Sequence, residues 1–91
     1  MENESAVHAA LLLHGGRALR LLGLPTGARD ALSKALRRRR GRPAELLRDA
    51  RCERALCYEA LGQRSRARQE LERVYAEDPD HEDTAQRLGL D

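Results

Sequence analysis

The chain has 91 residues, enough for one small domain with a modest core. Its charged residues are 35% of the sequence and nearly cancel at +2, while aromatics are 2% with no Trp or Phe. That composition leaves base-stacking recognition of single strands without support. The longest apolar run, Ala9 to Leu13, is far too short to span a bilayer.

Helix formers dominate. Ala, Leu, Arg and Glu are abundant, Val7 and Val74 are the only Val, and Ile is absent, so the expected fold class is all-α. Gly23-Leu24-Pro25-Thr26-Gly27, Gly41-Arg42-Pro43, Gly62-Gln63 and Asp78-Pro79-Asp80 break the pattern. They leave helical stretches near 5–22, 26–40, 43–61, 64–77 and 80–88. In the first, Leu11, Leu12, Ala18, Leu19 and Leu22 form one face, with Ala10, Leu13 and Leu21 on another. Apolar surface on two sides implies two neighbours: a hairpin partner, and a third helix, second chain or ligand.

The second stretch, with Thr26 as a candidate cap, carries a stripe of Ala28, Leu32, Ala35 and Leu36. Pro43 opens the third, where Leu46, Leu47, Ala50, Cys57, Tyr58 and Leu61 share one arc. Ala67, Leu71, Val74 and Tyr75 stripe the fourth at helical spacing. Asp80 is the expected N-cap of the last, with Glu82 and Asp83 favourable to its dipole.

Charge is unevenly spread. Residues 27–54 hold ten basic and four acidic groups, and residues 70–91 hold two and eight. This polarity favours head-to-tail contacts or a charged partner. Arg outnumbers Lys 16 to 1, a bias that a GC-rich, bacterial-like coding sequence explains as readily as Arg chemistry does. The run Arg37, Arg38, Arg39, Arg40 and Arg42 has two readings. It is a site for phosphate backbone or an acidic tail, or a solvated helix end where cations suit the macrodipole. The helix-end reading is preferred, and nucleic acid is a disfavoured partner.

Sites of chemistry are not evident. Cys52 and Cys57 stand roughly 140° apart on one helix and lack metal-ligand spacing. His8, His14 and His81 form no metal cluster in sequence, and Gly15-Gly16 precedes no GKS/T. No catalytic residue, cofactor or metal is therefore expected. The acidic start Met1-Glu2-Asn3-Glu4 is unlike a signal peptide, and two free thiols suit a reduced, cytoplasmic setting.

A shift of 39 residues superposes two halves. Gly16 falls on Ala55, Leu19 on Tyr58, Leu22 on Leu61 and Gly23 on Gly62. Ala28 then falls on Ala67, Leu32 on Leu71, Ala35 on Val74 and Leu36 on Tyr75. Small residues recur where two helix backbones would approach.

On these residues the chain resembles the tetratricopeptide repeat family, whose unit is a helix-turn-helix of about 34 residues. The stretch 48–81 carries the resemblance best. Ala55 stands at the small position of its first helix, with Tyr58 at the tyrosine position and Gly62 at the turn. Ala67, Leu71 and Val74 follow on the second helix, and Pro79 closes the unit. The stretch from 9 to about 42 fits less well, with Gly15 at a bulky position and Leu19 at the tyrosine position. About five extra residues around 37–47 are expected to lengthen the flanking helices. Arg54, where a Leu is usual, calls for a partner among Asp30, Glu70 and Glu72.

The resemblance implies one domain over 1–91, a short right-handed stack of antiparallel helix hairpins. Residues 80–90 would form a polar cap with Ala85 and Leu88 inward. It further implies a non-enzymatic adaptor binding a peptide or partner protein in a groove lined by the first helix of each unit. By position the groove residues would be Ala10, Leu13, Arg17, Arg20, Leu21, Asp49, Cys52, Leu56, Glu59 and Ala60. The alternatives are a homodimer contact through the first helix, plain packing between units, or a nucleic-acid accessory role for the Arg run.

Overall fold

The structure is a computed structural model, and it describes residues 3–90. Met1, Glu2 and Asp91, part of the expected 1–91 domain, lie outside the described residues. Five helices follow in order: α1 Ala6–Leu21, α2 Pro25–Arg37, α3 Ala44–Ala60, α4 Arg64–Glu77 and α5 Thr84–Arg87. Among the described residues all regular structure is helical.

The helices pack in chain order: α1 on α2, α3 on α4, the hairpins meeting through α2–α3 and α1–α3, and α5 on α4. The extents are 36 × 29 × 17 Å, and the short dimension matches two helix layers. The turns within the two hairpins are closed the same way. Gly23 at φ +79° donates to the Arg20 carbonyl and Leu24 to that of Leu19. Gly62 at φ +75° and Gln63 repeat this on Glu59 and Tyr58. Such a left-handed glycine, followed by a bond reaching back five residues, satisfies the last carbonyls of a helix. Gly89 and Leu90 build the same motif on Gln86 and Ala85 after α5.

The core has two parts. Leu13, Ala28, Leu32, Leu36, Ala50 and Cys57 pack between the hairpins. Ala55, Ala67, Leu71 and Leu88 pack beneath the cap with Tyr58 and Tyr75 beside them. Leu88 thus faces inward as expected. So does the small-residue rule: a Cβ placed on Gly16 would meet Leu32 Cγ at 2.8 Å, so α1 and α2 touch there because the side chain is missing.

Five expectations need correcting. Helix α2 ends at Arg37 rather than 40 because Arg38 turns extended. Asn3 donates its amide to the Lys34 and Ala35 carbonyls, two of the acceptors that a helix end leaves unpaired. The extra residues therefore form a loop over 38–43 and the first turn of α3, and α2 is not lengthened. Pro25, not Thr26, opens α2, and Asp83, not Asp80, precedes α5. Finally, Leu11 and Leu22 are exposed and do not face the hairpin. Buried instead on α1 are Ala9, Leu12, Leu13 and Gly16, since α1 must meet α2 and α3 at once.

Candidate functional site

The first helices of the two hairpins and the cap line one polar face. Its centre is Glu53 on α3, a residue only 7% exposed. Its two carboxylate oxygens accept separate hydrogen bonds from the Nε atoms of Arg17 and Arg20, each 2.8 Å away on α1. The spacing of three places both arginines on one side of α1. Burial pushes the Glu53 pKa up, but the bonds from Arg20 and Arg17 together outweigh it and hold the group below its ordinary value. The same contact raises Arg17.

One turn toward the N-terminus of α3, Asp49 Oδ1 lies 2.9 Å from Nε2 of His81, which is buried. That nitrogen makes no well-directed hydrogen bond, so the two groups are in close contact without an aligned N–H bond. Glu82, at φ +48°, is pushed up by burial and then by the hydrogen bond shared with Asp49. Cys52, His81 and Glu82 place ligand-type atoms within 4.8 Å of one another. Sequence spacing missed this grouping because the loop before α5 delivers two of its three members. A thiol, an imidazole and a carboxylate are a donor set for a zinc-class cation. Here burial pushes the Cys52 thiol up to about 11, and Asp49 already engages the imidazole. The contacts of Cys52 with Thr84 and of Asp49 with His81 make a clasp between α3 and the cap. Arg87 and Glu59, 3.2 Å apart, make a second clasp.

The groove residues expected by position divide. Leu13 and Cys52 are 5% and 2% exposed, so both are core and offer no surface. Arg17 and Arg20 are bound to Glu53, and Asp49 to His81. Ala10 and Leu56 are half-buried, whereas Leu21, Glu59 and Ala60 are open. A stripe that joins Leu11, Ala18 and Leu22 of one expected face to Leu21 of the other is left uncovered on α1. Val7, Leu11, Ala18, Leu21 and Leu22 are all exposed and fall within an arc of about 100° at helical pitch. Leu24, 53% exposed, continues it.

Arg54 has one of its expected partners. It pairs with Glu70 across the α3–α4 hairpin and donates to Ser33 at 3.3 Å, with its guanidinium over the Tyr58 ring. The Arg run is not a single patch. Arg37 ends α2, Arg38 and Arg40 are exposed loop residues, and Arg42 turns back to donate to the Asn3 carbonyl and side chain. Among the described residues no helix is long and apolar enough to cross a membrane.

Residues 49–81 match the family model for the tetratricopeptide repeat. No curated protein and no solved structure matches the chain. The α3–α4 hairpin with its closing Pro79 is thus similar to a tetratricopeptide repeat, and the chain is a tetratricopeptide-like helical protein. The match leaves out the first hairpin, where Gly15 and Leu19 depart from the pattern.

Proposed function

We propose that this chain is an adaptor-type protein-interaction module, one domain of two repeats near 9–42 and 48–81 and a cap, working in the cytoplasm. Tetratricopeptide repeats are in general protein–protein interaction modules, and the observation that carries the reading here is the uncovered stripe on α1. Five apolar side chains from Val7 to Leu24 are at least 48% exposed. Contiguous apolar patches on a small protein mark a surface that another chain covers. The open residues Leu21, Glu59 and Ala60, half-buried Leu56 and the outer edges of Arg17 and Arg20 extend that surface along the first-helix face. An apolar anchor would seat on the stripe while the charged rim selects orientation.

The choice of test follows from burial. Leu13→Arg would break the core, so the informative variant is Leu11→Glu with Leu22→Glu. Selection from a random-peptide display library should enrich sequences with apolar anchors on the wild-type chain and lose them on the double variant. Sedimentation equilibrium on both proteins covers the homodimer alternative. A stable wild-type dimer that the double variant dissolves would make the stripe a self-contact. No enrichment and no self-association would refute the reading.

A further inference from the structure

A cleft of about 290 Å³ opens where α2, α3 and α4 meet, with the α2–α3 loop at its edge. Five arginines and a serine line it: Arg37, Arg39, Arg51, Arg54, Arg73 and Ser33. Arg51 is only 4% exposed. Among the described residues no carboxylate lies within ion-pair distance of Arg51, Arg37, Arg39 or Arg73. The Nε of Arg51 is buried with no hydrogen-bond partner. Burial disfavours its charge, Arg73 and Arg39 add repulsion, and Glu70 offsets only part of this.

A guanidinium does not shed its proton, so burying one among others costs free energy until an anion neutralises them. The acids facing the cleft do not meet that need. Glu70 is committed to Arg54, and Glu77 acts on Arg51 less strongly than Arg39 does. The C-terminal carbonyls of α2 would repel an anion, but those of Lys34 and Ala35 already accept from Asn3. We propose that this cleft binds a phosphate-class oxyanion, held by Arg51 with Arg73, Arg39 and Arg37, and with Arg54 and Ser33 at its base. Four guanidiniums without acids favour a multiply charged anion over a lone carboxylate, and their planar forks suit tetrahedral oxyanions. The cleft lies between the second helices and α3, away from the α1 stripe, so it stands whether or not that stripe binds a partner.

The phosphate group can arrive free or on a phosphorylated side chain of a partner, and the test separates the two. The full chain is titrated calorimetrically with pyrophosphate, with a phosphoserine peptide and with its unphosphorylated counterpart. Sodium acetate at matched ionic strength is the control. One-to-one saturation by pyrophosphate or the phosphopeptide, and by neither control, is the expected result. Arg51→Met and, separately, Arg73→Met should each weaken it at least about tenfold, the cost of losing one charge-assisted contact. Arg68→Met, an exposed arginine lining a different cleft, should leave it unchanged. A phosphopeptide binding at least about tenfold tighter than pyrophosphate places the phosphate on a partner, and the reverse makes it a free anion. Pyrophosphate should also raise the melting temperature of the wild type but not of Arg51→Met. The proposal is overturned if neither probe saturates, if Arg51→Met and Arg73→Met both bind as the wild type does, or if Arg68→Met loses as much as they do.

Discussion

Replacing Glu53 by Gln keeps the side chain's shape and removes the charge on which two arginines of α1 converge. Breaking a buried ion pair from one side costs about 3–5 kcal/mol when the orphaned charge stays buried. Here the orphans are partly wet: the side chains of Arg17 and Arg20 are 39% and 24% exposed, so both guanidiniums regain water. Discounted for that screening, the loss is about 2 kcal/mol, or about 8–16 °C in melting temperature for a domain of this size. Urea unfolding followed by circular dichroism measures it, with exposed Glu45→Gln as the control. The pH dependence has a defined sign. Glu53 titrates lower in the folded than in the unfolded chain, so its stabilisation is complete above the unfolded carboxylate range. It is lost as pH falls through the folded value, and Glu53→Gln should lack that part of the acid transition. A loss under about 0.5 kcal/mol, within the scatter of ordinary surface substitutions, would mean that α1 and α3 are held by packing alone.

Two adjacent glycines should respond oppositely. Gly16→Ala drives a methyl into Leu32 and should destabilise by about 1–3 kcal/mol, whereas Gly15, with open space around it, should gain about 0.5–1 kcal/mol as Ala. Equal melting shifts at both positions would refute the close α1–α2 approach. Leu22→Glu should change stability by less than about 0.5 kcal/mol, because its side chain already faces water; a cooperative loss on thermal melting would show that it packs. Cys52 and Cys57 are free and buried, and burial raises both thiols. Alkylation by iodoacetamide should therefore be slow in buffer and fast in denaturant, and rapid native modification would place the thiols at the surface.

Much of the architecture was legible because it is written in local terms. Turn glycines 39 residues apart, Gly23 and Gly62, mark the same helix end, and the stripes of α2 and α4 name their buried faces. The small residue at Gly16 marks where two backbones meet. Arg54 could be read as needing an acid, and Glu70 was among the acids proposed. The candidate site was less legible. Leu13 and Leu22 are both leucines on a helix whose apolar residues surround it. Sequence could not tell which would be covered, and it assigned these two to the wrong sides. Cys52 was placed by analogy on a groove that the cap fills. Nothing local indicated that Arg17 and Arg20 would meet Glu53, 33 residues or more away.

The sequence by itself determined that the chain is helical, where its turns fall, and that its halves repeat, because backbone propensity and helical period act over a few residues. The tertiary structure decided which face of α1 stays bare, that α2 stops at Arg37 with Asn3 on its last carbonyls, and that Arg51 is buried among arginines without an acid. These outcomes depend on the angle and contact between hairpins. That geometry is set by packing volumes summed over all five helices and leaves no period in the chain to read.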